Sequence, residues 1–157
     1  MNARLARYED LNALQREQLT SLEVHPEQLP FCGDIHAALY FLPREPHDGV
    51  LGFALLDNET PVAFLLLKRH PFVPHWADEG SATLHALQVD KRLQGRGFGS
   101  ACLQALPEAA RQAWPQVHQL LLSVGTDNNA AMNLYLKQGW VDTGEAYRGE
   151  RRLTLVL

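Results

Sequence analysis

The sequence predicts one α/β domain in which a mixed, mostly antiparallel sheet of six or seven strands is flanked by helices. The chain has 157 residues, of which 46% are hydrophobic and 20% are charged, and this composition is typical of one compact core. No linker, low-complexity segment or repeat divides the chain, so a single domain spans residues 1–157. Strand-length apolar runs mostly follow one another directly, and one strand-helix-strand unit in the middle predicts a parallel crossover.

The N-terminal third predicts few regular elements. Residues 3–7 are predicted to form a short strand, and a helix from Glu9 to Thr20 follows because leucines and glutamines recur at helical spacing behind two acidic residues. Prolines recur from 21 to 48, so this stretch is predicted to be a loop that holds at most one short helix, Asp34 to Phe41, with Asp34 as its N-cap.

The middle of the chain predicts three strands. Apolar runs at 50–56 and 62–68 are separated by the turn-forming residues 57–61, which indicates an antiparallel hairpin. An irregular stretch at 70–80, which contains prolines, then leads into a strand at 81–89.

The C-terminal half predicts the crossover and a second hairpin. In chain order its elements are a glycine-rich loop at 94–100, a helix running to Trp114, a strand at 117–124, a helix from Asn128 to Gln138 that ends at Gly139, and strands at 140–144 and 151–157. Pro107 lies inside the first helix, where it either kinks that helix or starts a second short one.

The glycine-rich loop lies between a strand and a helix, where backbone amides at a helix N-terminus can converge on a phosphate. A P-loop is excluded because no Gly-Lys-Ser/Thr follows the required spacer. A dinucleotide fold is disfavoured because Ser100 stands at the third glycine position and the strand at 117–124 carries no acid. Taken alone, the loop could also be a flexible turn.

The charge and the cysteine content of the chain limit which kinds of partner and metal site are expected. The formal net charge is −4 and the 14 Lys and Arg residues form no block, which argues against nucleic acid and favours a small, cationic partner. Cys32 and Cys102 supply neither a disulfide framework nor a metal-ligand set, so reduced thiols and no metal are expected. No run approaches the roughly 18 apolar residues of a membrane span, and no secretion signal is visible, so a cytoplasmic location without a membrane partner is expected.

Three motifs together carry a family resemblance. They are Leu87-x-Val89, then Gln94-x-x-Gly97-x-Gly99, and then Asn128-x-x-Ala131-x-x-Leu134-Tyr135-x-x-x-Gly139-Trp140. In content, order and spacing they resemble the GNAT superfamily of N-acetyltransferases, from Ser81 to the C-terminus. The resemblance implies a GNAT-like sheet whose fourth and fifth strands splay apart, with acetyl-CoA as the co-substrate and no metal.

The resemblance also implies how acetyl-CoA is held. The main chain of Leu87 to Val89 would pair with the pantetheine arm, and the amides of Gly95 to Ser100 would hold the pyrophosphate. Arg96 would add a phosphate contact or remain solvated, and Asn128 would bind the arm, cap its own helix, or both. The predicted cofactor-binding residues are Leu87, Gln88, Val89, Gln94, Gly95, Arg96, Gly97, Phe98, Gly99, Ser100, Asn128 and Tyr135.

Two residues are predicted to be catalytic, Tyr135 and His85. Tyr135 matches the family tyrosine that protonates the departing thiolate, although it could be an ordinary buried tyrosine. A base is needed because an alkylamine with a pKa of about 10 is mostly protonated at neutral pH. Strict alternation along the strand would put Thr83, His85, Leu87 and Val89 on one face.

The strand Leu84 to Val89 is similar to that of arylalkylamine N-acetyltransferases, in which two histidines pass the amine proton through water. His85 matches one of them, and Thr83 stands in place of the other. The alternatives for the base are a water held by His85 or the carboxylate of Glu79 or Asp78, just before the strand. His85 could also merely fill the strand face.

The predicted function is direct transfer of an acetyl group from acetyl-CoA to a primary amine of a small molecule in a ternary complex. The stretch at 22–31 is loosely similar to spermine/spermidine acetyltransferases, so a polyamine-like amine and an arylalkylamine both remain open. The alternatives are a peptide or protein acetyltransferase and a non-catalytic acyl-CoA-binding module. Dimers are common in the family, and no sequence feature decides between a monomer and a homodimer. Residues that suit a cationic acceptor are Glu23, Glu27, Phe31, Asp34, Phe41, Phe72 and Trp76.

Overall fold

A seven-stranded sheet with the strand order β1-β2-β3-β4-β5-β7-β6 forms the centre of the computed structural model, which describes residues 2–42, 49–147 and 149–157. Neighbouring strands are antiparallel except β4 and β5, which are parallel. The strands are β1 Ala3–Arg7, β2 Val50–Asp57, β3 Thr60–Arg69, β4 Ser81–Val89, β5 Gln119–Gly125, β6 Val141–Tyr147 and β7 Glu150–Val156. The helices are α1 Ala13–Leu19, α2 Leu29–Cys32, α3 Ile35–Tyr40, α4 Phe98–Ala113 and α5 Asn129–Lys137. The predicted sheet and its position between helices are confirmed.

The first helix begins later than the prediction from Glu9. Tyr8–Asp10 forms one turn of 3-10 helix, and α1 follows a capping box at Asn12. The Gln15 amide donates to Asn12 Oδ1 at 2.7 Å, and the Asn12 amide donates to Gln15 Oε1 at 3.0 Å. This reciprocal pair satisfies two amides at the helix end, which fixes the start of α1.

The stretch after α1 is more ordered than predicted. Pro26–Gln28 forms a turn of 3-10 helix, and α2 continues from it with Pro30 in its first turn, where proline removes no helical hydrogen bond. The predicted cap is confirmed, because the Ala37 amide donates to Asp34 Oδ1 at 2.7 Å at the start of α3. The predicted loop at Pro43 and Pro46 lies outside the described residues.

Helices cover both faces of the sheet. On one face, α4 packs through a continuous apolar stripe and runs through Pro107 without ending. On the other face, α1 and α3 bury Leu19 and Ile35 against β2 and β3. Cys102 is fully buried in the first core, and burial raises the pKa of its thiol to about 12, so this cysteine is a packing residue.

The pairing of β4 with β5 is short. Only Ser81, Ala82 and Thr83 pair with β5, although β4 runs on to Val89. Beyond these three pairs the strands diverge, and the splay that the family resemblance implies is confirmed.

A β-bulge interrupts β4 just after the splay begins. Gln88 is opposite Phe64 and His85 is opposite Leu66, so two residues of β4 lie against one residue of β3. Ala86, within the bulge, has φ of 58°.

The bulge overturns the prediction of strict alternation along β4. Leu87 and Val89 pack in the α4 core together with Leu84, whereas His85 lies on the other face opposite Leu66. The extra residue at the bulge reverses which side chains face each side of the sheet. His85 and Leu87 therefore do not share a face.

We predict that Ser81→Ala lowers the free energy of unfolding by about 1–2 kcal/mol. The fully buried Ser81 hydroxyl donates to Asp78 Oδ1 at 2.7 Å and accepts from Gln119 Nε2 at 2.8 Å, which joins the paired ends of β4 and β5. Urea denaturation measures the loss, with Ser21→Ala on an exposed residue as the matched hydroxyl deletion. Equal stability of the two variants would show that the Ser81 bonds contribute nothing.

Candidate active site

Two cavities meet in the gap between β4 and β5. The larger, here called the cofactor cavity, has a volume of about 610 Å³ and lies between the end of β4, the glycine-rich loop, and the first turns of α4 and α5. Of the predicted cofactor-binding residues, those that line it are Leu87, Gln88, Val89, Gln94, Gly95, Gly97, Phe98, Gly99, Ser100, Asn128 and Tyr135. The fold thus brings together every residue of that set except Arg96.

The N-terminus of α4 fits an anionic group. Gly97 precedes the helix with φ of 85°, a conformation that glycine adopts without strain, and no side chain of the described residues caps the helix. The amides from Phe98 to Ser100 therefore lack partners within the helix, and the positive end of the dipole of this 16-residue helix lies at the cofactor cavity. Such an end suits the pyrophosphate of acetyl-CoA.

Arg96 is exposed and does not line the cofactor cavity. Gly95 and Gly97 on either side of it both have positive φ, so the chain turns sharply at this surface position. The prediction that Arg96 contacts the cofactor phosphates gains no support from this arrangement.

Gln94 ties the loop to two other segments. Its side-chain amide donates to the Val89 carbonyl and to Gln28 Oε1, each at 2.9 Å, and its Oε1 accepts from Gln28 Nε2 at 3.2 Å. Gln28 directly precedes α2, so these bonds hold the start of α2 against the cofactor loop.

The second cavity has a volume of about 490 Å³ and opens on the other side of the gap. Its walls are the bulged part of β4 from Thr83 to Leu87, the end of β5, the start of β7, and α2. The two cavities share Phe31, Cys32, Leu87, Asn128, Ala131 and Tyr135. A molecule in one cavity can therefore approach a molecule in the other at this junction.

Tyr135 lies at the junction, on the inner side of α5. Its ring contacts Trp140 with the centroids 5.8 Å apart. Burial raises the pKa of the Tyr135 hydroxyl well above its usual range. The hydroxyl therefore keeps its proton at neutral pH. Asn128, which caps α5 by accepting from the Ala131 amide at 3.3 Å, lines both cavities.

His85 lines the second cavity and is held from within the sheet. Its Nε2 lies 2.6 Å from the hydroxyl oxygen of Thr83, a fully buried residue. Burial lowers the pKa of His85 to about 4, and the nearby positive charge of Lys68 lowers it further. Lys68 itself lies with its ammonium 4.3 Å from the ring centroid of Phe41. His85 is therefore neutral at physiological pH.

The residues predicted to shape an acceptor site are dispersed. Phe31 and Trp76 line the second cavity, and Glu27 lines the cofactor cavity. Glu23 instead forms an ion pair with Lys91 at 2.9 Å, Asp34 caps α3, and Phe41 packs under Lys68.

Phe72 and Glu79 line a separate cavity of about 440 Å³, where Glu79 is 3.7 Å from His70. Glu79 thus lines a different cavity from His85 and Tyr135.

Several lining residues carry no motif in the sequence. The carboxylates of Asp127 and Glu150 line the second cavity from the end of β5 and the start of β7, and the Ser123 hydroxyl donates to Glu150. Cys32 lies at the junction of the cavities. The sequence held one usable signal, since Asp127 directly precedes Asn128 of the recognised motif. Glu150 and Cys32 approach the site only through the tertiary fold.

Within the described parts of the chain, no group of three or more His, Cys, Asp or Glu side chains could hold a metal ion. Over the same residues, no helix has the length and apolar character needed to cross a membrane.

Comparison with known proteins gives consistent results. A family model described as the acetyltransferase (GNAT) family matches residues 9–140. The uncharacterized N-acetyltransferase YbbJ of Bacillus subtilis is 24% identical over 124 residues, which cover 74% of this chain and 78% of YbbJ.

Solved structures share the fold. The GNAT domain of Streptomyces lividans PAT superposes with a TM-score of 0.77 at 20% identity, over 99% of this chain and 90% of that domain. A GNAT family acetyltransferase from Elizabethkingia anophelis, solved with acetyl-CoA bound, superposes with a TM-score of 0.63 at 14% identity, over 99% of both chains. With the family model covering most of its length, the chain belongs to the GNAT family of N-acetyltransferases.

Proposed function

We propose that the protein transfers an acetyl group from acetyl-CoA directly to the primary amine of a small, cationic molecule, either polyamine-like or an arylalkylamine. The observation that carries this proposal is the junction of two cavities at Tyr135 across the splayed strands. One cavity has the open helix end that suits a pyrophosphate, and the other has carboxylates and aromatic side chains.

Acetyl-CoA supplies the acetyl group as an activated thioester. The amides from Gly95 to Ser100 hold its pyrophosphate, and the main chain of Leu87 to Val89, which has no β5 partner, receives the pantetheine arm. The positive potential that attracts the pyrophosphate comes from the N-terminus of α4, because none of the residues that line the cofactor cavity is a lysine or arginine.

His85 and Tyr135 handle the protons. The amine must lose a proton before it can attack, and His85, neutral and exposed to the second cavity, accepts it directly or through a water that it holds. The Tyr135 hydroxyl, which retains its proton, donates it to the departing thiolate.

The second cavity suits a cationic amine. Asp127 and Glu150 place carboxylates at one end, and Phe31 and Trp76 supply aromatic walls. The Arg152 guanidinium lies 4.6 Å from the Trp76 ring centroid, so a cation of the protein itself already occupies one face of this ring.

Thiol release from acetyl-CoA over a panel of acceptors tests the proposal. The panel contains polyamines, arylalkylamines, aminoglycosides, amino acids and peptides, and turnover is expected with small cationic amines. Turnover of peptides alone would contradict the small-molecule acceptor. Binding of acetyl-CoA without turnover on any acceptor would indicate a non-catalytic acyl-CoA-binding module.

Tyr135→Phe is expected to lower kcat about 10²- to 10⁴-fold, because the thiolate loses its proton donor. The KM for acetyl-CoA should change little, since the ring and its contact with Trp140 remain. Steady-state kinetics with the best amine of the panel measures both constants. Tyr40→Phe, on an exposed side chain, is the matched control. An unchanged kcat would exclude Tyr135 as the acid.

The buried state of His85 predicts a pH dependence of stability. The unfolded chain binds the proton with a pKa of 6.5 and the folded chain with a pKa of about 4, so the unfolded state holds more protons between these values. The free energy of unfolding should therefore fall as the pH drops from about 6.5 to about 4, by at most about 3 kcal/mol. His85→Gln should remove this slope, and His36→Gln on the surface is the control. An NMR titration of His85 near 6.5 would contradict the prediction.

Asp127→Asn and Glu150→Gln are each expected to raise the KM for a cationic amine about 3- to 10-fold while leaving the KM for acetyl-CoA unchanged, because each removes one carboxylate from the second cavity. The effect should weaken with added salt. Glu108→Gln, on the exposed face of α4, is the control of equal charge change. Equal KM values in all three variants would show that these carboxylates do not attract the acceptor.

A further inference from the structure

The bulge in β4 needs local support. Ala86 has φ of 58°, and an L-residue in this left-handed region is strained by roughly 1–2 kcal/mol. The strand also has no β5 partner beyond Thr83 to hold it flat. Some other contact must keep the bulge in one shape if the main chain after it is to serve as a binding surface.

Gln88 makes such a contact. Its side-chain Nε2 donates to the Ala86 carbonyl at 3.0 Å, which closes a loop across the bulge from two residues further along the strand. Gln88 is only 3% exposed and lies opposite Phe64, so the side chain is packed in a fixed position.

This glutamine does not serve stability well. Its Oε1 is buried and has no hydrogen-bond partner among the described residues. A buried acceptor left without a partner costs roughly 1–3 kcal/mol, about as much as the single bond to Ala86 can return. A methionine of similar length would remove that penalty but would also leave the Ala86 carbonyl without this donor, so the two effects on stability roughly offset and the main effect of the amide is on the shape of the bulge.

We propose that Gln88 is a positioning residue: its side-chain amide holds the Ala86 carbonyl and so fixes the bulge in the shape that presents the main chain of Leu87 to Val89 to the acyl donor. The role is separate from the main-chain contact that Gln88 shares with its neighbours. The proposal rests on the proposed function, because it assigns a task within the same acetyl transfer. It places no side-chain atom of Gln88 in the reaction itself.

Two variants distinguish a positioning role of Gln88 from a purely structural one. Gln88→Met removes the amide and keeps the length, and it should lower kcat about tenfold while the KM for the amine stays within about twofold. Its Tm should stay close to that of the wild type, because the loss of the unpartnered Oε1 offsets the loss of the bond to the Ala86 carbonyl. Gln15→Met is the matched control: Gln15 is also a buried glutamine, but it caps α1 far from the gap, and its loss should lower Tm and leave kcat unchanged.

Gln88→Glu gives a second test that does not need Gln88→Met to fold. A carboxylate cannot donate to the Ala86 carbonyl, but a protonated carboxyl can, and burial raises the pKa of a carboxyl. The kcat of this variant relative to that of the wild type should therefore recover as the pH is lowered. A ratio that does not vary with pH would overturn the proposal.

Amide exchange of Leu87 measured by NMR reports on the bulge without turnover. Loss of the clamp in Gln88→Met should speed exchange at least about tenfold in the free protein. Failure of the proposed function would appear as absent turnover in the wild type, whereas wild-type kinetics and unchanged exchange in Gln88→Met would overturn this inference alone. A kcat loss explained by a Tm loss as large as that of Gln15→Met would overturn it as well.

Discussion

The site depends on the early end of the pairing between β4 and β5. Two adjacent strands in a sheet normally satisfy each other's amides and carbonyls, and buried backbone groups without partners are costly. Here the pairing stops at Thr83, and the strand continues for six residues whose β5 side faces a gap. A ligand that carries amides of its own could take the place of the missing strand, and the proposed function uses the unpaired edge in this way.

The same gap brings the two cavities together at one point. The core under α4 covers one face of the sheet and the core under α1 and α3 covers the other, and both cavities draw lining residues from each. The α2 segment touches both cavities and is bonded through Gln28 to the cofactor loop at Gln94. The net charge of −4 does not oppose an anionic cofactor, because the attraction comes from oriented amides at the start of α4 and not from side chains.

Local patterns predicted much of this arrangement. The hairpins, the crossover and the caps at Asp34 and Asn128 follow from turn chemistry and periodicity, which act over a few residues. The bulge at Ala86 could not be predicted from such local patterns, since alanine has no preference for positive φ and the sequence there reads as regular alternation. Asp127 was one residue from a recognised motif, whereas Glu150 reaches the second cavity only because β7 pairs with β5. Strand pairing over such distances leaves no periodic trace in the chain.

Buried polar side chains on one face of β4 distinguish the site from the rest of the sheet. Thr83, His85 and Gln88 all lie on this strand near the bulge, where Thr83 and Gln88 are buried and His85 is partly buried, and removing such groups from water costs free energy. Burial makes the His85 imidazole a weaker base and keeps it neutral over the whole physiological range. The Thr83 hydroxyl, 2.6 Å from Nε2, fixes the ring without adding charge. A carboxylate in place of the Thr83 hydroxyl would raise the pKa of His85 and favour the protonated ring, so the neutral hydroxyl is the anchor that leaves the imidazole uncharged, as the proposed role of His85 as base requires.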